Sequence, residues 1–315
     1  MTILKAYSQL SELGILGLNH RNAVYTLGFN ERRFYPLVDD KVRTKSLCSE
    51  AGVAVPALYG TIEIERQVRD LPHIVAEQTE FVIKPAHGSG GDGIIVIKGQ
   101  VKDKYRKANG VMISLEDLQH HISNVLSGMY SLGGATDTAL IEYCVNFDPI
   151  FESISYQGVP DIRIIVCCGV PVMSMVRLPT RMSDGKANLH QGALGVGLDL
   201  ATGTTLTAVL LNDVVTEHPD TANPVTGIKI PNWTDLLTLA SRCYDIFHLG
   251  YLGVDIVLDK EYGPLLLEVN ARPGLNIQIA NQAGLLPRLN LVTNRACDLP
   301  DVHARVAFAI EHFHT

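Results

Sequence analysis

Apolar and polar positions along the chain follow two spacings, one typical of strands and one typical of helices. Short runs rich in β-branched and aliphatic residues predict strands at 58–63, 81–84, 94–98, 139–144, 162–168 and 170–177. Apolar residues three and four apart predict helices at 6–16, 41–51, 114–127, 234–249 and 301–313. The segments 102–109 and 183–197 show neither spacing and are predicted loops. Because strands and helices mix without strict βαβ alternation, the pattern favours an α+β fold over a doubly wound sheet.

Two apolar runs near the C-terminus, 253–258 and 265–270, flank a segment dense in turn residues and predict a β-hairpin. If this hairpin closes symmetrically, Asp255 lies directly across from Glu268, and Asn270 shares their face because side chains alternate with period two. Two facing carboxylates repel each other, so a positive group is expected between them. An all-oxygen set of Asp, Glu and Asn suits Mg²⁺. The alternative is a hairpin that carries polar residues on its solvent face.

A glycine-rich loop follows the predicted strand that ends at Lys84 and leads into another strand. Glycines let backbone N–H groups approach phosphate oxygens, and a preceding lysine adds positive charge, so a cover over a nucleotide is predicted. The match to GxGxxG through Gly88, Gly90 and Gly93 is weak support, because a dinucleotide fold needs this loop to open a helix. The kinase motifs HRD and DFG and the P-loop motif are absent. A plain glycine hairpin is the alternative.

Bulk properties describe an ordinary globular chain of 315 residues, long enough for one to three domains. The net charge of -7 argues against binding to a nucleic-acid backbone. No apolar run approaches the ~18 to 20 residues of a membrane span, and the N-terminus lacks a signal-peptide core. The six cysteines show no CxxC spacing. We therefore expect small buried thiols in a reducing, cytoplasmic compartment, not a disulfide framework or a zinc site.

Five motifs together resemble the ATP-grasp superfamily over about residues 36 to 285. They are Asp40-Lys41 with Thr44-Lys45, the segment 51–56, Val82 to Pro85 with the glycine loop, Leu140 to Glu142, and Val254-Asp255 with 267–274. Within the superfamily, the segments 35–41, 161–163 and 188–192 are similar to RimK-related, α-L-glutamate ligase-like proteins. The resemblance implies two α+β subdomains that clasp ATP, at 39–140 and 141–315, after a short, truncated helical segment at 1–38.

The resemblance also implies roles for individual residues. Contacts to ATP are implied for Lys41, Lys84, the loop residues Gly88, Ser89, Gly90, Gly91 and Gly93, and a hinge of Glu142, Tyr143 and Cys144. Asp255, Glu268 and Asn270 would hold Mg²⁺, with Mn²⁺ as an alternative. Arg177, Asn188 and Arg272 would steady the transferring phosphoryl group. Arg163 joins these candidates because an unpaired charge in an apolar strand is costly, which favours a partner or ligand.

Simpler interpretations stay open for several of these residues. Lys41 could be an ordinary lysine of a helix N-terminus, Glu142 a partner in a structural ion pair, and Arg177 a surface residue at a strand end. The chain also departs from the RimK type, which carries an arginine where Lys186 stands. Only a short segment precedes Asp40, so we expect an acceptor site that is built differently or completed by a partner chain.

The resemblance implies an ATP-dependent carboxylate–amine ligase that forms ADP and an amide through an acyl phosphate. Glutamate, another amino acid or a peptide would be the substrate, and nothing in the residues identifies it. The alternatives are an ATP-binding scaffold or sensor without turnover and an ATP-grasp phosphotransferase. We expect no nucleic-acid partner and no membrane span, and leave the oligomeric state open.

Overall fold

A computed structural model describes residues 9–88 and 90–314, so the predictions for residues 1–8 and for Ser89 lie outside the described residues. The strands form two antiparallel sheets, and the predicted α+β class is confirmed. The strands are β1 (Leu58–Ile62), β2 (Phe81–Pro85), β3 (Ile95–Val101), β4 (Lys104–Lys107), β5 (Met112–Ser114), β6 (Ala139–Tyr143), β7 (Asp161–Cys167), β8 (Val170–Leu178), β9 (Leu194–Leu198), β10 (Thr205–Leu210), β11 (Asp213–Val215), β12 (Tyr251–Asp259) and β13 (Gly263–Asn270).

Six longer helical segments accompany the sheets within residues 9–88 and 90–314. The first, α1, covers residues 18–29 and contains a π-helical stretch at Arg21–Thr26. The others are α2 (Lys41–Glu50), α3 (Leu115–Leu126), α4 (Trp233–Phe247), α5 (Leu286–Arg295) and α6 (Val302–His312). Short α-helical turns lie at Pro36–Asp39, Leu71–Ile74 and Ile277–Ala280, and short 3₁₀ turns at Arg32–Phe34, Glu65–Asp70, Leu132–Gly134, Pro149–Ile154 and Leu189–Gln191.

The chain divides into two compact units. Unit 1 comprises the described residues up to Asp39, Leu47–Ala54 and the chain from Phe147 onwards. Unit 2 comprises Asp40–Ser46 and Val55–Asn146. The three segments predicted from the sequence stay a prediction.

Unit 2 is built on a six-stranded sheet of order β1-β6-β2-β3-β4-β5. Its core forms where alternate residues of β2, Phe81 and Ile83, meet the apolar face of α3, which carries Leu118 and Ile122. All four of these side chains are fully buried. Helix α3 begins at the predicted cap, because Ser114 and Asp117 bond reciprocally to each other's backbone N–H groups.

Unit 1 is built on a seven-stranded sheet of order β11-β10-β9-β8-β7-β12-β13. Strands β7 and β12 are buried along their whole length, as expected for central strands covered on both faces. Helices α4 and α6 pack against each other, and α6 also packs on β8. Charged residues inside these central strands must therefore find partners within the unit.

Two predicted loops are partly wrong. The charged segment 102–109 contains β4, which pairs with β3 after a tight turn in which Lys102 has a φ of +55°. The Gly-rich passage 183–197 runs into β9, whose apolar residues are buried. Glycines weaken the strand pattern of β9 in the sequence. Close packing requires them, because a Cβ at Gly197 would lie 2.6 Å from the backbone oxygen of Ala280.

The expectation of unpaired cysteines is wrong for one pair. Cys168, in the turn between β7 and β8, forms a disulfide with Cys297, 129 residues later in the chain. Spacing in the sequence cannot reveal this pair, because only the folded sheet brings the two residues together. The other four cysteines, at positions 48, 144, 167 and 243, are buried thiols, as predicted.

None of the helices in the described part of the chain is both long and apolar enough to span a bilayer. The expected cytoplasmic location stays a prediction.

Candidate active site

The predicted hairpin forms between β12 and β13, and Asp255 lies opposite Glu268 as expected. The two residues do not meet through the symmetric closure that was predicted from the sequence, but through a shift in strand register. Near the turn the strands pair with Asp259 opposite Gly263, a register that would place Leu267 opposite Asp255. The register shifts between Asp255 and Ile256, so Leu267 is an extra residue in β13. This β-bulge turns Glu268 to the face of Asp255.

Carboxylate–guanidinium bridges cross the central strands on this face. Arg163 on β7 lies opposite Asp255, and its Nε and Nη2 atoms donate to the two Asp255 oxygens, the latter over 2.5 Å. Arg177 on β8 binds Asp161 on β7 in the same bidentate way, and its Nη2 atom also donates to Asp255 Oδ2 over 2.8 Å. Bidentate bridges fix geometry as well as charge. We call these four residues the arginine–aspartate cluster.

Burial and charge set the protonation of this cluster. Burial acts to raise the pKa of Asp255, but Arg163 and Arg177 outweigh it and hold that pKa below its ordinary value. Burial is also the largest influence on Asp161. Together with the negative charge of Asp255, it raises the pKa of Asp161 to about 6 against the attraction of Arg177. Asp255 is thus the more firmly ionised carboxylate.

A glycine makes room for the long side chain of Arg163. A Cβ at Gly253 would lie 3.3 Å from Arg163 Cδ and 2.7 Å from Pro273 Cβ. Gly253 lies opposite Asn270, whose Nδ2 atom is 3.5 Å from Asp255 Oδ2. The missing side chain at position 253 therefore lets Arg163 extend across the strand to Asp255.

The predicted Mg²⁺ ligands share one face, but they are not equivalent. Glu268 and Asn270 are half-buried, whereas Asp255 is only 1% exposed and both of its oxygens accept hydrogen bonds from guanidinium groups. Within residues 9–88 and 90–314, no group of three His, Cys, Asp or Glu side chains could hold a metal. A metal on this face would thus draw on the amide oxygen of Asn270. The all-oxygen donor set fits a hard cation, and the assignment stays a prediction.

Unit 2 carries a different cluster, built around Glu142, which is 3% exposed. Lys84 Nζ lies 2.6 Å from Glu142 Oε1, and Lys45 Nζ lies 2.8 Å from Glu142 Oε2 and donates to Pro56 O. Burial acts to raise the pKa of Glu142, but Lys84 and Lys45 outweigh it, so that pKa lies below its ordinary value. The interpretation of Glu142 as part of an ion pair is confirmed. We call these three charged residues the lysine–glutamate cluster.

Lys41 braces the base of the glycine loop. Its Nζ atom donates to Gly88 O over 2.6 Å and to Ala86 O over 3.3 Å, and its backbone N–H also donates to Ala86 O. Lys41 is therefore more than an ordinary lysine of the helix N-terminus. Its predicted contact with phosphate stays a prediction.

The loop glycines adopt backbone conformations that favour glycine. Gly90, Gly91 and Gly93 have φ values of +68°, +82° and +75°. At Gly93 a Cβ would also lie 2.6 Å from the ring of Tyr130. The loop therefore depends on its glycines for its path. Ser89 lies outside the described residues, so its predicted role is not placed.

The predicted hinge lies at the end of β6. Tyr143 donates its backbone N–H to Ala57 O over 2.8 Å, and Cys144 is 3% exposed. Burial raises the pKa of the Cys144 thiol, although Lys98 acts against it. This thiol is thus held in its neutral form, and recognition of adenine by this segment stays a prediction.

The remaining candidates lie beyond the arginine–aspartate cluster. Arg272 follows β13 and lies over the ring of Tyr35, with 4.7 Å between the guanidinium carbon and the ring centroid. Asn188 caps the short turn Leu189–Gln191, and its Oδ1 atom accepts from the backbone N–H of His190 over 3.0 Å. Their predicted catalytic roles stay predictions.

Two residues gained no role from the sequence although both occur in its motifs. Lys45 lies four residues after Lys41, so helical spacing places the two ammonium groups on one face of α2. Asp161 lies two residues before Arg163, so strand spacing places the two charges on one face of β7. Both spacings can be read from the sequence, but the pattern of a single strand or helix does not identify the residue that pairs with it from a neighbouring element.

Comparisons with known proteins identify the family of this chain. The family model for sugar-transfer associated ATP-grasp proteins matches residues 20–294. A probable α-L-glutamate ligase of Maridesulfovibrio salexigens is 25% identical over 236 residues, and one of Pseudomonas paraeruginosa is 23% identical over the same length. Each alignment covers 75% of this chain and 56% of the relative. The chain thus spans about half the length of the curated relatives that it matches.

A solved structure of the ATP-grasp ligase PsnB with a minimal precursor is also similar. It is 15% identical with a TM-score of 0.47, and the alignment covers 96% of this chain and 71% of that chain.

Proposed function

Because the chain belongs to the sugar-transfer associated ATP-grasp family, we propose that it is an ATP-dependent carboxylate–amine ligase that releases ADP. The observation that carries the proposal lies in unit 1. There, adjacent strands present the arginine–aspartate cluster, Glu268 and Asn270 on one face of a single sheet. Charged groups held in fixed geometry are what phosphoryl transfer requires, because the protein contributes positioning and electrostatic stabilisation.

The proposed reaction has two steps. A carboxylate oxygen of the substrate attacks the γ-phosphorus of ATP, a C–O–P acyl phosphate forms, and the bond from that phosphorus to the β,γ-bridging oxygen breaks to release ADP. An amine nitrogen then attacks the acyl carbon, loses a proton and expels inorganic phosphate. No side chain of the protein acts as a nucleophile in either step.

In unit 2, the residues suited to nucleotide phosphates are Lys84 and Lys41. Lys84 is a compact point charge beside a carboxylate that it shares with Lys45. Lys41 holds the loop whose backbone N–H groups would face phosphate oxygens. Glu142 keeps the two buried ammonium groups compatible with folding when no nucleotide is bound.

In unit 1, Glu268 and Asn270 are the accessible oxygen ligands for Mg²⁺, and Asp255 adds negative charge behind them. When bound, Mg²⁺ supplies positive charge that offsets the charge of the phosphate oxygens. Arg177 holds its guanidinium group on the same face and would orient the transferring group. The names of the curated relatives make L-glutamate the first carboxylate to test.

The proposal is tested by ADP release from Mg·ATP in mixtures of amino acids, with the Glu268→Gln variant beside the wild type. We expect release that depends on a carboxylate and an amine together, and loss of it in Glu268→Gln. The matched control is Glu261→Gln, an exposed glutamate in the turn of the same hairpin. It should release ADP at the wild-type rate.

Three results would count against the ligase. If Glu268→Gln releases ADP at the wild-type rate, Glu268 does not hold a metal that the reaction requires. Tight ATP binding without release under any substrate mixture favours a scaffold or sensor. ADP release that needs no amine and leaves the phosphoryl group on an acceptor favours a phosphotransferase.

A further inference from the structure

Unit 1 contains a cavity of about 600 Å³ that none of the assignments above explains. Its wall is formed by helix α1, the segment 32–39 and Arg272, which lies two residues after the end of β13. The polar residues that line it and matter here are Arg21, Thr26, Arg32, Tyr35, Asp39 and Arg272. We call it the guanidinium cavity. Its volume lies within the range of about 300–1,000 Å³ that is typical of small-molecule sites.

The charge around this cavity is not balanced. Arg21 is 8% exposed, yet its Nη1 atom donates to the backbone oxygen of Pro273 over 2.7 Å, and its Nε and Nη2 atoms donate to Asn22 Oδ1. Arg272 lies over the ring of Tyr35. Along the described chain, Arg21, Arg32 and Arg272 form no ion pair with a carboxylate. The lining of the cavity thus contains three guanidinium groups and one carboxylate.

The pKa of Arg21 lies below its ordinary value, because burial and, to a smaller extent, the positive charge of Arg272 lower it, although Tyr251 acts to raise it. An anion bound in the cavity would offset this repulsion. Arginine pairs bidentately with carboxylates and phosphates, so an oxyanion is the ligand that this wall recognises best.

A second, independent observation concerns Thr26. This residue is 4% exposed and lines the cavity, and its Oγ1 atom has no hydrogen-bond partner within the described structure. A buried hydroxyl without a partner costs about 1–3 kcal/mol. Thr26 also ends the π-helical stretch of α1, a local geometry that is frequent at functional sites. A polar group of a ligand would satisfy this hydroxyl.

We propose that the guanidinium cavity binds the acidic substrate of the reaction, an inference that rests on the proposed ligase function. The ligand class is a small carboxylate that also carries hydroxyl or amino groups. The arginines would hold its carboxylate, while Thr26 and Asp39 would bond its other polar groups. Arg272 lines this cavity and lies two residues after Asn270, so the cavity wall includes the segment that directly follows β13. The volume accommodates a substrate larger than one amino acid.

The test is calorimetric binding to the full chain without ATP or Mg²⁺. The probes are L-glutamate and D-glucuronate, each beside a counterpart with one charge fewer, L-glutamine or D-glucose. We expect one of the acids to bind and its counterpart to bind much more weakly. Which acid binds identifies the source of the carboxylate.

The variant Arg32→Gln should weaken binding of that acid by about 10- to 100-fold, the loss of one charged hydrogen bond. Arg32 is exposed, so the variant should fold. The matched control is Arg33→Gln. Arg33 is the exposed neighbour that pairs with Glu31 over 2.9 Å and is not a lining residue. Arg33→Gln should bind the acid as the wild type does.

Thr26→Val separates binding from folding. It removes an unsatisfied hydroxyl at nearly constant volume, so the free protein should be as stable as the wild type or more stable, while the acid binds several-fold more weakly. Equal binding of acids and counterparts, no binding at millimolar concentration, or equal loss in Arg32→Gln and Arg33→Gln would each overturn the proposal.

These results are distinguishable from failure of the ligase function. If the acid depends on Arg32 but no substrate mixture releases ADP, the cavity is an acid-binding site and the ligase proposal fails. If ADP is released and acid binding does not depend on Arg32, the ligase stands and the cavity proposal fails.

Discussion

The two charged clusters bury carboxylates in different ways. In unit 1, Arg163 and Arg177 grip Asp255 and Asp161 through bidentate bridges whose geometry follows from the register of β7, β8 and β12. In unit 2, Lys45 and Lys84 approach Glu142 as single point charges from a helix and a strand. Guanidinium forks fix direction as well as charge, whereas an ammonium group can rotate to a new acceptor.

The difference indicates a division of labour. The arginine–aspartate cluster is preorganised, because each partner is fixed by its strand and by two hydrogen bonds. Under the proposed function, the lysine–glutamate cluster is adaptable, because either ammonium group would be able to shift towards a phosphate while the other keeps the carboxylate paired. Substitutions should therefore damage the first cluster through structure and the second mainly through binding.

The largest effect is expected for Asp255→Asn. This change leaves two arginines with a single carboxylate in a buried setting, which typically costs about 3–5 kcal/mol of stability. ADP release should also be lost. Trp233, the one tryptophan of the chain, lies on α4 in unit 1, so its fluorescence during urea unfolding measures the stability of that unit.

The control for this experiment is Asp213→Asn on strand β11. Asp213 is exposed in the same sheet, so its loss should change the unfolding free energy by less than about 0.5 kcal/mol. If both variants unfold at the same urea concentration, the arginine–aspartate cluster is not the rigid element that the comparison requires.

Lys84→Met probes the adaptable cluster. Glu142 keeps Lys45 as its partner, so the fold should survive, while ATP affinity should fall by about 10- to 100-fold with the loss of one charged hydrogen bond. Equilibrium binding of ATP measures this change. Lys104→Met, at an exposed position of β4 in the same unit, is the control and should bind ATP normally. An unchanged ATP affinity in Lys84→Met would mean that Lys84 serves only as an ion-pair partner of Glu142 and does not contact ATP.

Gly253→Ala tests how closely the rigid cluster is packed. The new Cβ would meet Pro273 at 2.7 Å and Arg163 at 3.3 Å, so Pro273 must move and Arg163 must give way slightly. Overpacking of this kind costs about 1–3 kcal/mol. The urea midpoint followed by Trp233 measures it.

Gly28→Ala is the matched control for this substitution, because nothing lies within 4 Å of the added Cβ in α1. It should be neutral or stabilise the helix by about 0.5–1 kcal/mol. Equal midpoints for the two variants would show that Arg163 has room to move and that the cluster is not tightly held.

Much of the fold follows from local pattern. The hairpin of β12 and β13, the cap at Ser114 and the glycine loop each depend on a few neighbouring residues, and each forms as predicted. The ATP-grasp resemblance is confirmed by the family match over residues 20–294. Strand β9 was missed because glycines, which fit its close packing against the backbone near Ala280, lower its strand signal.

The partners within the site did not follow from the sequence. A positive group beside Asp255 was expected and attributed to Mg²⁺, but the structure supplies Arg163 and Arg177 there. Strand alternation puts Arg163 on a face, yet only the pairing of β7 with β12 puts it opposite Asp255. The bulge at Leu267 could not be predicted from the sequence either, because a one-residue insertion leaves no mark on the apolar pattern.

The smallest expected effect is the change in the stability of unit 2 with pH, which should be slight near pH 7. Because Lys84 and Lys45 hold the pKa of Glu142 below its ordinary 4.5, the stabilisation is complete above that value and is lost as the pH falls through the lowered pKa. Glu142→Gln lacks this titration. Hydrogen exchange of β2 and β6 should show the wild type more protected than the variant at pH 7, with the gap closing below pH 4.5. Equal protection of the wild type and the variant at pH 7 would mean that Glu142 is not ionised there, and the lysines would then have no carboxylate to share.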